Sequence, residues 1–214
     1  MKPLAGVRIA DFTLHAAGPF CTHILSQLGA ECIKIESAAR PDIFRKPHPV
    51  YGRMGPASFD QVASNKLSVR INLKDAKGIA LARKLAGVSD LVCESFRPGV
   101  MDRLGLGYAA LAALKPSVVM VSVSSSGQSG PDSHFAGYAP LFGAWGALGY
   151  LTGYEDGPPV EIAGAGRLPV LSAPFHVDGA ALPLRAGPPR LGEHQHMLTA
   201  TRRRDRQTIA AEVS

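Results

Sequence analysis

"GVRIADFTLHAAGPFCTHILSQLGAECIKIES", residues 6–37, decides the fold. "GVRIADFT" is a short apolar run that ends on a polar turn, the pattern of a buried strand. In "AAGPFCTHILSQLGA", Gly18-Pro19 opens a helix, because proline is tolerated in a first turn whose amides lack partners, and Gly29 closes it. "ECIKIES" alternates into a second strand. Strand, helix and strand at this spacing predict a parallel βαβ unit.

The unit then repeats. "KLSVRINLK" places Val69, Ile71 and Leu73 on one face of a third strand. "DAKGIALARKLAGVSD" has a helical period, with Asp75 as N-cap and Gly87 as stop. "DLVCES" reads as a fourth strand and "SVVMVSVSSSG" as a fifth. Between them "RPGVMDRLGLGYAALAALKP" holds one or two short helices ending before Pro116. The fold class is therefore α/β, a parallel sheet with helices on both faces. After about residue 125 the texture changes. "SSSGQSGPDSHFAGYAP" is a polar loop, "LFGAWGALGYLTG" has the composition of a buried helix, and Pro and Gly dominate from Gly157 to Leu191. "GEHQHMLTATRRRDRQTIAAEVS" has the pattern of a final amphipathic helix.

The 214 residues are 46% hydrophobic and 19% charged, which suits one sizeable globular domain, or a domain with an extension. A net charge of +6 favours an anionic partner such as a phosphorylated cofactor. Arg202, Arg203, Arg204 and Arg206 form a basic run, read as a nucleic-acid contact or as a solvated face. No aromatic side chains interleave with it, so nucleic acid ranks last among the partners. Cys21, Cys32 and Cys93 are far apart in sequence and contain no CxxC, so neither a disulfide framework nor a zinc site is expected, and a reducing, cytoplasmic compartment fits best. Arg8, Asp11 and His15 interrupt the first apolar run, which excludes a signal-peptide reading, and no apolar run is long enough for a bilayer. His23, His194 and His196 have no spacing that suggests a metal site.

Doubly wound sheets bind ligands beyond the carboxyl ends of their strands. "TLHAAGPF", "KIESAARPD" and "ESFRPGVMDRLG" follow the first, second and fourth strands. The first lacks G-x-G-x-x-G, so a nicotinamide site is not supported; its helix start is either an anion site or a plain turn. In the third, Phe96 can stack on a flat base, and Arg97 and Arg103 can pair with phosphates, or the segment is simply a polar helix start. Ser124–Ser126 before Gly127 makes no nucleophile elbow.

"LAGVRIADFTLHAAGPFCTHILSQLGAECIKIE", "NKLSVRINLKDAKG", "ESFRPGVMDRLGLGYAALAALKPSVVMVSVSSSGQSGP" and "LTGYEDGPPV" together resemble the N-terminal part of the family III coenzyme A transferases, which include formyl-CoA transferase, the carnitine CoA-transferases and α-methylacyl-CoA racemase. The likeness runs from Leu4 to about Gly164, and "PFHVDGAALPLRAGPPRLGEH" is similar to a segment near the family's C-terminus. It implies a Rossmann-like CoA-binding large domain over residues 1–166, a tail over 167–214, and loss of the family's small second domain. The Gly/Pro-rich stretch "GPPVEIAGAGRLPVLSAP" thus reads as containing a seam near Gly166–Leu168, rather than as an active-site loop or a linker.

The resemblance also implies chemistry: transfer of CoA between an acyl-CoA and a carboxylic acid through an aspartate nucleophile. The corresponding stretch, "AGAGRLPV", holds no acid, and Glu161 and Asp156 do not match the position. No catalytic residue is therefore assigned, and impaired turnover by the chain alone is expected. The implied CoA contacts are His15, Ala16 and Ala17 along the adenine or pantetheine, Lys74 on a phosphate or ribose, Ser95 where the family has Asn, Phe96 stacking, and Arg103 on a phosphate. Leu67 stands in place of an Arg, Ala38 in place of a basic residue with Arg40 close by, and Gly137-Tyr138-Ala139 in place of "GYD". The implied partners are a second copy, as in the family's interlocked dimers, or a complete CoA-transferase chain. A non-catalytic CoA- or nucleotide-binding module is the competing reading.

Overall fold

A computed structural model describes residues 2–46, 54–137, 176–177, 180–181 and 193. Five parallel strands form its sheet: β1 (Arg8–Phe12), β2 (Glu31–Glu36), β3 (Lys66–Arg70), β4 (Leu91–Glu94) and β5 (Val119–Ser122). Their spatial order is β3-β2-β1-β4-β5. The chain winds outward from β1 to β3, then returns to β4 on the other side of β1. That reversal creates a switch point between the carboxyl ends of β1 and β4. Register is continuous across it: Asp11 lies beside Lys34 on one flank and Cys93 on the other.

The helices divide between the two faces. α1 (Ala17–Gln27) and α2 (Met54–Ala63) pack together on one. α3 (Ala76–Gly87), α4 (Val100–Arg103) and α5 (Tyr108–Ala112) cover the other. The α3 side is a continuous apolar core: Ala10, Phe12, Ile33, Ile35, Val69, Ile71 and Val92 from the strands meet Ala82, Leu85, Met101, Leu106 and Leu111. Each fully buried Val, Leu or Ile there contributes about 1.5–3 kcal/mol. The α1 side has only a small apolar cluster, Ile9, Ala30, Cys32 and Cys93, with partly buried Leu25 against it. Much of the rest of that face is polar.

The capping expectations hold. Asp75 accepts the Lys77 amide at 2.7 Å, α3 ends at Gly87, and Gly29 adopts φ 111 just past α1. The segment before Pro116 forms two short helices, α4 and α5. Two elements were not anticipated, a 3-10 turn at Ile43–Arg45 and α2. The sequence "MGPASFDQVA" hides its helix because Gly55 and Pro56 look like a break, yet they occupy the first turn, where proline costs no hydrogen bond. A short antiparallel pair, β6 (His176–Val177) with β7 (Ala180–Ala181), falls within the expected tail. The domain boundary at residue 166, the Gly166–Leu168 seam, the "LFGAWGALGYLTG" helix and the arginine run lie outside the described residues.

Gly78, in the first turn of α3, packs against the backbone that leaves β3. A Cβ there would sit 1.9 Å from the Asn72 carbonyl oxygen, whereas one at Gly87 would meet nothing within 4 Å. Gly78→Ala is expected to destabilise by about 1–3 kcal/mol through overpacking, and Gly87→Ala to be neutral or stabilising by up to about 1 kcal/mol. Urea denaturation of the two variants checks the contrast.

Candidate functional site

The crevice at the switch point is built from the loop after β1 and the turn after β4. The Leu14 amide donates to Ser95 Oγ at 2.9 Å, so the serine hydroxyl ties the two strand ends together. Glu94 caps the turn by accepting the Phe96 amide at 2.6 Å. Phe96 leans on the α3-side core and remains partly exposed. His15 adopts φ 67, a left-handed conformation that a residue with a Cβ rarely takes. It is held there by its amide, which donates to Asp42 Oδ2 at 3.1 Å. Its ring meets Phe44 edge-on, with centroids 6.4 Å apart.

Asp42 is the outer end of a buried ionic ladder on the α1 face. Lys34 Nζ lies 3.2 Å from Asp42 and donates to the Thr13 carbonyl at 2.8 Å. Lys66 Nζ lies 3.0 Å from Asp11 and also donates to the Pro19 carbonyl at 2.9 Å and to Thr22 Oγ at 2.7 Å. Thr22 in turn donates to Asp11 at 2.8 Å. Arg45 grips Glu36 with two nitrogens, at 2.9 and 2.7 Å. Its guanidinium stacks 3.9 Å from the centre of the Phe59 ring, which lies over the ladder. Three cations thus balance three carboxylates under the loop that carries His15.

Burial alone would raise the Asp11 carboxyl, but Lys66, Lys34 and the Thr13 hydrogen bonds outweigh it and hold it below the usual range. Glu36 follows the same logic, with burial opposed by Arg45, Lys34 and the Asp42 amide. His23 goes down because burial disfavours its cation and Lys66 adds repulsion, against the Ser64 carbonyl. Its Nδ1–H donates to that carbonyl at 3.2 Å, and Nε2 accepts from the Gln27 amide at 2.9 Å, so the ring is neutral.

The Leu14–Ser95 hydrogen bond thus sets the loop carrying His15, Ala16 and Ala17 beside the turn carrying Ser95 and Phe96. Ala16 and Ala17 line a cavity of about 310 Å³ with Phe20, Gln61 and Val62. Lys74 is not at the crevice; it is exposed beyond β3, with β2 and β1 between, and its amide donates to Asn72 Oδ1 at 3.1 Å. Arg103 is exposed at the end of α4, folded back over Gly99. A second cavity, of about 460 Å³, lies at the ends of β2 and β3, where "KIESAARPD" had pointed. It is lined by Ser37, Ala38, Ala39, Arg70, Ile71 and Asn72. The ladder escaped notice, although Lys34 between Ile33 and Ile35 was its visible sign.

Against known proteins, the model of CoA-transferase family III matches residues 4–165. Succinyl-CoA:glutarate CoA-transferase of Mus musculus is 41% identical over 161 residues, covering 75% of this chain and 37% of that protein. The succinyl-CoA–L-malate CoA-transferase beta subunit of Chloroflexus aurantiacus is 32% identical over 183 residues, 86% of this chain and 45% of its own. A crystal structure of a CAIB/BAIF family protein from Brucella suis superposes with a TM-score of 0.67 at 32% identity, over 75% of this chain and 43% of that one. The chain thus spans less than half the length of these relatives.

Two outcomes test the ladder. Lys66→Met leaves the Asp11 charge buried without its cation and is expected to cost about 3–5 kcal/mol in chemical denaturation; Asp11→Asn in the same chain should recover part of the loss. The shifts of Asp11, Glu36 and His23 are all downward. Each such group contributes stability that is complete above its unfolded value and is lost as pH falls through its folded value. The urea midpoint should therefore begin to fall below about pH 6.5 through His23, and fall further below about pH 4 through the carboxylates. His23→Gln should flatten the first decline and leave the second.

Proposed function

The chain belongs to CoA-transferase family III, and on that premise we propose that it binds coenzyme A across the carboxyl ends of β1 to β4. The observation that supports this reading is the hydrogen bond by which Ser95, in the turn before Phe96, joins the end of β4 to the His15–Ala17 loop, which the ladder fixes from below. Backbone and small side chains there suit the pantetheine arm, and Phe96 offers an apolar face. The cavity of about 460 Å³ at the ends of β2 and β3 suits the nucleotide end. It lies two strand spacings from the crevice, roughly 10 Å. Arg70 on its lining supplies the charge for the 3′-phosphate, where Ala38 brings none.

The chemistry proposed for the whole protein is transfer of CoA between an acyl-CoA and a carboxylic acid, with a partner chain supplying the nucleophilic carboxylate. Among the described residues the carboxylates beside the crevice are engaged: Asp42 with Lys34 and the His15 amide, Glu94 with the Phe96 amide, Asp11 with Lys66. The acid-free stretch "AGAGRLPV" lies outside the described residues. Pairing is supported by the relative named as a beta subunit. The exposed Tyr108, Leu114 and Val119, around α5 and the outer strand β5, also favour a covering surface. Among the described residues no helix is long and apolar enough to cross a membrane.

Calorimetric titration tests the binding. Coenzyme A should bind saturably, and about tenfold more tightly than 3′-dephospho-CoA, the difference expected of one charge-assisted contact. Arg70→Ala should lower CoA affinity to that of dephospho-CoA while leaving dephospho-CoA unchanged. Absence of saturable binding to the folded chain sinks the CoA reading itself. Equal weakening of both ligands sinks only the role of Arg70.

A further inference from the structure

The three cysteines, distant in sequence, converge beside Asp11. Cys93 lies beside Asp11 in the sheet, and Cys32 lies beside Ile9, two residues earlier on the same face. Cys32 Sγ reaches Asp11 at 3.6 Å. Cys21 comes over the same place from α1, and two contacts fix where. Gly18 packs between the ends of β1 and β4, where a Cβ would lie 2.6 Å from Thr13 Cβ and 3.2 Å from Ser95 Cβ, and Thr22 reaches Asp11 on β1 at 2.8 Å. Cys21 stands one helical turn beyond Gly18, and Cys93 stands two residues before Ser95 on the same face of β4. The helix runs back along the sheet, with Pro19 and Thr22 turned toward Lys66 on the β3 side, so Cys21 faces the β4 side, over Cys93. Both are free thiols; Cys21 is partly exposed, whereas Cys93 and Cys32 are buried.

We infer that Cys21 and Cys93 are a reversible oxidation site, closed to a disulfide by a small disulfide such as glutathione disulfide, bridging α1 to β4 beneath the crevice. Cys21 is the attacking group. The neighbouring Cys93 thiol and, to a smaller extent, Lys66 outweigh burial and the Asp11 charge, bringing its pKa down to about 6. At neutral pH it is a thiolate within reach of solvent. It attacks one sulfur of glutathione disulfide; that S–S bond breaks and one glutathione leaves as thiolate. Cys93 is held protonated first by the neighbouring Cys21, then by burial and Asp11. Capping Cys21 removes the first of these. Cys93 then gives up its proton, its sulfur attacks Cys21 Sγ, and the second glutathione leaves. Two cysteine thiols are oxidised, one glutathione disulfide is reduced to two thiols, and the two leaving thiolates take up the protons. Cys32 does not take part, because burial and the neighbouring Asp11 carboxylate push its thiol up.

The test is thiol counting on the intact chain after exposure to glutathione disulfide, followed by peptide mapping. The expected result is that one of the three thiols remains, that Cys21 and Cys93 are found in one cross-linked peptide, and that dithiothreitol restores all three. Alkylation of Cys21 by iodoacetamide should rise to half its plateau near pH 6. Cys93→Ser should stop at a glutathione adduct on Cys21, and Cys32→Ala should leave the bridge intact. Retention of all three thiols, a bridge that includes Cys32, or a lasting glutathione adduct in the unsubstituted chain each overturns the inference. These readouts need no bound CoA.

Discussion

Two lysines buried inside a parallel sheet set the terms for this molecule. Lys34 and Lys66 are both inaccessible, and an ammonium group taken from water without compensation costs more than a domain of this size can spare. Their compensation is spatially exact in register: Asp11 sits beside Lys34 in the sheet, within 3.0 Å of Lys66, and Asp42 closes the other end. The remaining ammonium protons go to the Thr13 and Pro19 carbonyls and to Thr22. Thr13 belongs to the β1–α1 connection, and Pro19 and Thr22 to the first turns of α1 that follow it. The electrostatic demand of the core is therefore met by pinning the loop that forms one wall of the crevice.

This explains an unfavourable conformation. A histidine at φ 67 holds a strained backbone only where its surroundings over-determine it. Asp42 does so, accepting the His15 amide with the same oxygen that faces Lys34 while its other oxygen caps the 3-10 turn through Phe44. A ligand entering the crevice meets a loop already ordered, so less entropy is lost on binding. The two faces of the sheet have accordingly divided their work. The α3 face supplies hydrophobic stabilisation, and the α1 face supplies position.

What the sequence made legible follows from periodicity. The five strands, α1, α3 and the α/β class were readable because their apolar residues recur at fixed intervals and Asp75, Gly29 and Gly87 mark ends. His15, Ala16, Ala17, Ser95 and Phe96 were named through family likeness combined with the rule about strand ends, and the fold sets them at the neighbouring ends of β1 and β4. Lys74 was named through the same likeness as a phosphate or ribose contact, and the fold puts it beyond β3, next to Asn72 of the second cavity. The ladder, the part Arg70 takes in the second cavity, and the clustering of the cysteines were not legible, although "KIESAARPD" had pointed to the end of β2. Each depends on which residues of separate strands fall side by side, and register is a tertiary property. Asp11 and Lys66 are 55 residues apart, and no local pattern joins them. The cysteines show the same limit: their spacing in sequence gives no sign that α1 carries Cys21 over the strand that holds Cys93.

The polar face also separates gripping a thioester from attacking it. A nucleophilic carboxylate must be able to spend its charge on an electrophile, so it cannot be locked into a buried ion pair. Asp11, Asp42 and Glu36 are all locked in this way, and removing any of them to do chemistry would leave a lysine or arginine unpaired in the interior. The acids that shape this crevice are for that reason unsuited to reacting in it. On the proposed reading, a transferase built on this sheet brings its nucleophile from another segment or another chain, and the sheet supplies a rigid seat for the carrier.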